Sequence, residues 1–441
     1  MRGKEEFDMF NRLKILMKSR SIKNSGWIVG EQFFQMLLQL IVGVITARYL
    51  GPGNYGTLNY TASFVTFFTA IATLGMEGVI IKKMIDNPEK EGVYIGSSMA
   101  FRLIASFMSI ISISIIVYVL NPSEPIKVAL VLVQSFQLSF RAVEILDSWF
   151  QRYLKSKYVS IGKMIACIVT SAYKIFLLAT SKSILWFAFS NTISEAVIAL
   201  VECYFYRIAD GQRLSVDFKI GKEILKESYH FIISGLMVAI YSQMDRIMIG
   251  QMMTDTDVGY YTTATAISSM WIFIPTAIIN SFRPVIMEVK KNKNEVLYIH
   301  RLEQLYGGLI WLCIIVACMV TLFAKYIVII LYGQDYLGAI DVLKIAIWGE
   351  VFSMIGSARG IWILCENKNK YVKYYLFIGA CVNLILNTLS IPVYGIEGAI
   401  IATLITQIVT SLIAPMFFRE TRVHTKIVLK SMFFVFAKVE E

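Results

Sequence analysis

The residues with chemistry to offer lie inside long apolar stretches. Glu31, Gln35 and Gln39 recur with Thr46 in one such stretch, and Asn59, Ser63, Thr66, Thr73 and Glu77 follow steps of three, four and seven in the next. Those steps put side chains on one face of a helix. Ser234, Tyr241 and Asp245 form a third row, and Thr262, Ser269, Thr276, Asn280 and Arg283 a fourth. Rows of amides and hydroxyls do one of two things in a lipid environment. They bond neighbouring helices to each other, or they face a wet cavity and bond the hydroxyls of a ligand. The ionisable Glu31, Glu77 and Asp245 favour the cavity, where a carboxyl that is neutral in one state and charged in another can couple transport to protons or sodium.

Buried positive charge is the second signal. Arg141, Lys174 and Arg246 fall well within apolar stretches, Arg102 and Arg359 nearer the ends, and Arg48 and Arg283 at helix ends. A cation at the centre of a bilayer costs at least ~2.5 kcal/mol unless it is paired or hydrated. Arg141 has two readings, an anion site or an internal ion pair with Glu144 and Asp147 on its own helix. Asp245 adjoins Arg246, but sequence neighbours point about 100° apart on a helix and do not neutralise each other side by side. Lys174 and Arg102 have the alternative of snorkelling to an interface. The candidate cationic set is therefore Arg141, Arg246, Lys174, Arg283 and Arg48. The candidate sugar contacts are Gln35, Gln39, Asn59, Thr66, Ser269 and Asn280.

Other chemistry is absent from the pattern: no P-loop, GxGxxG, HExxH or GxSxG occurs. The three histidines lie far apart, and the six cysteines form no close CxxC pair. No cofactor, metal or catalytic residue is expected, and the chain reads as a non-enzyme.

The elements that position these groups follow from composition. The 441 residues are 56% hydrophobic and only 17% charged, with a mean hydropathy of +0.62. A span needs about 20 apolar residues, so a chain of this size holds a dozen spans with short connections and no separate soluble domain. Six are expected at Gly26 to Ala47, Thr57 to Ile81, Gly96 to Leu120, Ile126 to Phe150, Tyr158 to Thr180 and Ile184 to Tyr206. Six more are expected at Tyr229 to Met252, Gly259 to Phe282, Tyr306 to Ile330, Ala339 to Leu364, Val372 to Pro392 and Ile396 to Phe418. The run Ile427 to Ala437 is too short to cross and reads as an interfacial helix or frayed tail.

The net charge of +11 is not gathered into a nucleic-acid patch; the basic residues sit in alternate connections. Lys155 and Lys157, Lys219 to Lys226, Lys290 to Lys293 and Lys368 to Lys373 fall on one side with both tails, which by the positive-inside rule is the cytoplasm. The organisation expected is a cytoplasmic segment 1–25, an amino-terminal lobe 26–206, a cytoplasmic linker 207–228, a carboxy-terminal lobe 229–418 and a cytoplasmic tail 419–441.

The halves resemble each other. Tyr55-Gly56 before the second span has a counterpart in Val258-Gly259 before the eighth, and the same offset brings Asn59 onto Thr262, Thr66 onto Ser269 and Glu77 onto Asn280. Trp149 before Lys157-Tyr158-Val159 likewise matches Trp362 before Lys370-Tyr371-Val372. Internal repeats of this kind underlie alternating access.

Three segments carry a resemblance to a known family: Ala47-Arg48-Tyr49-Leu50-Gly51-Pro52-Gly53-Asn54-Tyr55-Gly56, Leu74-Gly75-Met76-Glu77-Gly78-Val79-Ile80, and Gln243-Met244-Asp245-Arg246-Ile247-Met248-Ile249-Gly250. Together they resemble the polysaccharide-transport family of Wzx-type O-antigen flippases. The resemblance implies an all-α, MATE-like fold of the MOP exporter superfamily, with about 12 transmembrane helices in two pseudo-symmetric six-helix lobes. Helices one, two, seven and eight would line a central cavity. It also implies a bacterial inner-membrane protein that flips undecaprenyl-pyrophosphate-linked oligosaccharide to the periplasmic leaflet. A polysaccharide polymerase and a chain-length regulator would be its partners, besides lipid and a coupling ion. The alternatives are an ion-coupled multidrug exporter of the same fold, whose cavity should be acidic, and a polysaccharide polymerase, which should carry a large external loop.

Overall fold

The computed structural model describes residues 20–432. Most of the expected amino-terminal segment, and the end of the expected run Ile427 to Ala437, lie outside the described residues. Those described are helical with short turns, and no strand occurs among them. In hydrocarbon this is the economical solution, because a helix satisfies its backbone groups within itself.

The helices are α1 Arg20–Ala72, α2 Glu77–Asp86, α3 Glu91–Leu120, α4 Pro125–Ser135, α5 Gln137–Arg141, α6 Leu146–Arg152, α7 Ser156–Ala179, α8 Ile184–Ile208 and α9 Phe218–Met252. They continue with α10 Asp255–Ser269, α11 Phe273–Lys291, α12 Glu295–Tyr332, α13 Ala339–Cys365, α14 Val372–Ile408, α15 Ala414–Phe417 and α16 Arg422–Ser431. Eight stretches are long and apolar enough to cross a membrane, and the bent pair α10–α11 makes a ninth. Two of the stretches are double. Gly51 (φ 70) breaks α1 and Gly395 (φ 62) breaks α14, each in a conformation that glycine adopts without strain. Pro52 follows the first break, at the start of a new helical run where a missing N–H does no harm. Divided there, and taken with α13, whose apolar run is interrupted by Glu350 and Arg359, the stretches account for the twelve expected spans. The protein is an all-α, multi-pass membrane protein.

Two compact units result. Among the described residues, one comprises 20–46 together with Phe64–Leu236, the other Ala47–Ser63 together with 237–432. The first unit packs Met76, Ile80, Tyr94, Trp149, Phe150 and Tyr206 into one apolar cluster. The second packs Tyr306, Ile355, Trp362 and Tyr375 into another.

The turns after Trp149 and Trp362 are built alike, each within its own unit. The Lys155 N–H donates to Phe150 O at 2.8 Å and the Lys368 N–H to Ile363 O at 2.9 Å, and Leu154 (φ 53) and Asn367 (φ 55) take the left-handed position between. This is the Schellman pattern that closes a helix. The repeat read from the sequence thus extends to backbone hydrogen bonds.

Four expected spans are not single α-helices, the twelfth being interrupted by the π-helical turn Val409–Ile413. The second ends at Ala72, because Leu74 (φ 53) and Gly75 (φ 56) turn the chain, and Glu77 opens α2. Glu77 therefore leaves the stripe begun by Asn59. The eighth bends by 41° between Ser269 and Phe273, which separates Thr262 and Ser269 from Thr276, Asn280 and Arg283. The fourth is interrupted by the 3₁₀ turn Ala142–Ile145, whose three residues per turn bring positions i and i+3 into line.

Arginines satisfy the carbonyls such breaks release. Arg102, fully buried rather than snorkelling, donates from Nε to Thr73 O at 2.8 Å and from Nη2 to Glu77 Oε1 at 3.0 Å. Arg359 donates to Thr410 O at 2.5 Å, inside the π-helical turn Val409–Ile413. Arg48 reaches Leu331 O at 2.7 Å, and also Ile330 O, at the carboxy-terminal end of α12. A cation there also complements the helix dipole.

Candidate functional site

Arg141 lies at the end of α5 in the first unit, 3.4 Å from Glu144 and 3.3 Å from Glu195 of α8. It also donates to Thr69 Oγ1 at 3.5 Å. Of its two readings the ion pair has the geometry, with one partner from the 3₁₀ turn and a second from another helix. Asp147 bridges to Lys163 of α7 at 3.4 Å. Glu202 of α8, fully buried, is within electrostatic reach of Asp147 and Lys163, and Glu31 of α1 is within reach of the same two. The interior of this unit therefore holds Glu31, Glu144, Asp147, Glu195 and Glu202 around Arg141 and Lys163, with carboxyls outnumbering cations. Glu77 is paired with Arg102 and largely exposed, and its charge also reaches Arg141.

Lys174 is placed differently. It borders a cavity of about 250 Å³ with Gln39, Thr170, Ser171, Ser190, Asn191 and Ser194, and has no carboxylate partner among the described residues. Gln35 is half-buried on α1, close along the chain to Glu31.

In the second unit, Asp245 on α9 is buried and gathers neutral donors. Asn387 Nδ2 donates to it at 2.6 Å, Asn383 Nδ2 at 3.0 Å, Thr403 Oγ1 at 2.5 Å, and the Tyr261 hydroxyl also. Asn383 and Asn387 lie one turn apart on α14, the i, i+4 spacing that puts both amides on one face. No cation pairs with Asp245 among the described residues. Arg246, half-buried, has only neutral acceptors, Gln243 Oε1 at 3.4 Å and Thr265 Oγ1 at 3.5 Å, both long. Its Nε is buried without a partner. Arg283 and Asn280 are exposed on α11, and exposed Ser269 donates back to Ala266 O. Asn59 donates to Tyr55 O on its own helix at 2.7 Å. Thr66 lies exposed on the last part of α1, in the first unit.

The structure thus separates the cationic candidates. Arg141 is committed to carboxylates and Arg48 to carbonyls, whereas Arg246 and Lys174 have no carboxylate partner among the described residues. The sequence reading passed over Glu195, Glu202, Lys163, Asn383, Asn387 and Thr403. A signal existed for two pairs: Glu195 and Glu202 are seven apart, and Asn383 and Asn387 four apart, in apolar runs.

Comparison with known proteins agrees with this architecture. The MATE multidrug transporter of the MOP superfamily in its inward-facing conformation superposes with a TM-score of 0.66 at 15% identity, over 90% of this chain and 96% of that one. The lipid II flippase MurJ, inward closed conformation, gives a TM-score of 0.68 at 17% identity, over 92% of this chain and 90% of that one. At such identities the likeness is one of fold. A probable low-salt glycan biosynthesis flippase, Agl15 of Haloferax volcanii, is 23% identical over 393 residues, covering 85% of this chain and 79% of the relative. The family model described as polysaccharide biosynthesis protein matches residues 21–290, more than half of the sequence. The chain belongs to the polysaccharide biosynthesis protein family.

Proposed function

We propose that the protein is a flippase that carries a lipid-linked glycan from one leaflet of the membrane to the other by alternating access. Arg246 carries the reading: a guanidinium within a membrane span whose contacts are two long hydrogen bonds to neutral acceptors. A pyrophosphate moved alone through hydrocarbon would lose its hydration at prohibitive cost, and a cation that is not already neutralised replaces part of it. The family and the glycan-flippase relative support the same substrate class.

In its finer form the proposal is an undecaprenyl-pyrophosphate-linked O-antigen or similar repeat unit, taken from the cytoplasmic to the periplasmic leaflet of a bacterial inner membrane. Both termini are then cytoplasmic, and a polymerase with its chain-length regulator receives the product. Coupling to protons or sodium belongs to the proposal as well. Asp245 supports it, because a carboxylate held only by Tyr261, Asn383, Asn387 and Thr403 has a charge that an added cation would cancel.

The test is transbilayer movement of a fluorescent polyprenyl-pyrophosphate oligosaccharide in proteoliposomes of the purified protein. Movement above that of protein-free vesicles is expected, with strong loss in Arg246→Ala protein that inserts normally. No movement of any lipid-linked sugar, together with uptake of cationic drugs by the same vesicles, would overturn the reading in favour of a drug exporter.

A further inference from the structure

Within the first unit, α1, α7 and α8 enclose a largely polar cavity of about 250 Å³ close to the α7–α8 turn, with Val42 its one apolar lining residue. Its walls are unusual in how little of their hydrogen-bonding capacity is used. Ser190 is 2% exposed and its Oγ has no partner. Thr170, by contrast, turns its hydroxyl back to Ala166 O at 2.7 Å. Lys174 stands among these groups, while Glu144, Glu195 and Asp147 are taken up by Arg141 and Lys163. A lysine inside a membrane span normally ends in a carboxylate, a carbonyl or the interface. Here it ends in a void rimmed by the amides of Gln39 and Asn191 and the hydroxyls of Ser190 and Ser194.

We propose that this cavity is a binding site, separate from Arg246, for one anionic oxygen group carried on a small polyhydroxylated body. The ammonium of Lys174 supplies the charge. The two amides and two hydroxyls supply both donors and acceptors, which suits hydroxyl groups that donate and accept in turn. A dry cavity of this polarity would leave the Ser190 hydroxyl and the ammonium uncompensated, which is the costly alternative. Two sources carry such chemistry: an acidic sugar of the translocated glycan, and the glycerophosphate headgroup of an anionic phospholipid. The inference rests on the proposed function only for the first source.

Acylation of Lys174 by acetic anhydride, followed site by site by mass spectrometry, tests the site on the full chain without requiring transport. Protein in phosphatidylcholine nanodiscs is labelled with and without D-glucuronate or D-glucose, and again in phosphatidylglycerol nanodiscs. Exposed Lys293 serves as the internal control. Protection of Lys174 by D-glucuronate but not D-glucose, roughly tenfold at about ten times the dissociation constant, supports the site with a sugar as source. Protection by phosphatidylglycerol without D-glucuronate supports it with lipid as source. In either case Ser190→Ala and Asn191→Ala, which leave Lys174 in place, weaken the protection. Equal protection by D-glucose, protection by none, or a Lys174 that does not react while Lys293 does, overturns the proposal. None of these outcomes depends on whether a lipid-linked sugar is flipped, so the two readings fail separately.

Discussion

Gly56 and Gly259, matched positions of the internal repeat, meet backbone to backbone within the second unit. A Cβ on Gly56 would stand 2.8 Å from the Gly259 nitrogen and 1.6 Å from the Asp255 carbonyl oxygen, and one on Gly259 would stand 2.1 Å from Pro52 O. The approach is reinforced by Thr57 Oγ1, which donates to Asp255 Oδ2 at 2.8 Å. Close approach through small residues is the main way helices associate where lipid removes the hydrophobic drive.

Gly56→Ala should therefore be far more damaging than an alanine at a helical position normally is. The new methyl meets backbone that cannot step aside, and overpacking of this kind costs about 1–3 kcal/mol or more. Gly53→Ala is the control, since a Cβ there meets only Thr256 Oγ1 at 3.5 Å, an ordinary contact. Thermal unfolding in detergent should show Gly56→Ala much destabilised and Gly53→Ala near the parent protein. Equal stability of the two would mean that the close approach does not exist.

The spans were legible because hydrocarbon imposes a length and a polarity that a single sequence displays. The matched glycines were legible as turns, though not as a contact, since spacing does not reveal which backbones approach. The breaks at Leu74–Gly75 and Met270–Ile272 were not legible, because no proline marks them. What stabilises the first is tertiary: Arg102 comes from another helix to bond Thr73 O. The same cause blurred the candidate site. Arg141 and Arg246 both lie well within apolar stretches, and only the partners brought by folding, carboxylates for one and neutral acceptors for the other, separate them.

Removal of the capping arginines should rank by burial. Arg102→Gln strands a buried carbonyl and removes the partner of Glu77, a loss of about 3 kcal/mol by analogy with broken buried pairs. Arg48→Gln removes an exposed cap, a loss of about 1 kcal/mol. Urea or thermal unfolding of the two proteins side by side measures the order, and a reversed order would refute the capping account of Arg102.

His424 on α16 makes an acid-sensitive element outside the spans. It is fully buried, bonded through Nε2 to the Tyr306 hydroxyl at 2.9 Å and flanked by the Trp362 ring. Burial, with the nearby Arg359 charge, pushes its pKa from the ordinary 6.5 down to about 3. The unfolded chain takes up this proton below 6.5 and the folded one does not until about 3. Stability should therefore fall as the pH drops through that window, by at most about 1.4 kcal/mol per pH unit. Glu420 acts lower. Lys368 and Tyr371 hold its carboxyl down from 4.5 to about 2, so its contribution is complete above 4.5 and lost only as the pH falls through about 2. Melting curves between pH 6.5 and about 5, taken for the parent protein and for His424→Gln, report the histidine as their difference, and His424→Gln should lose the part of the slope it contributes. An unchanged slope would mean that His424 is not buried neutral.

Arg141 and Arg246 should part company when each is replaced by alanine. Arg141→Ala leaves Glu144 and Glu195 facing each other without their cation, so its first effect is on folding, about 2–4 kcal/mol, less than for a fully buried pair because the site is partly open. Replacing Glu195 by glutamine as well removes one of the stranded charges, so the double variant should regain much of that loss, as contacting residues depart from additivity. Arg246→Ala breaks two long bonds to neutral groups and should cost under about 1 kcal/mol, yet it should abolish most transbilayer movement of a pyrophosphate-linked sugar. Arg246→Lys, which keeps the charge but not the planar fork, should retain part of the movement. If Arg141→Ala folds normally and loses transport while Arg246→Ala retains it, the assignment is inverted: the paired arginine meets the substrate and the unpaired one does not.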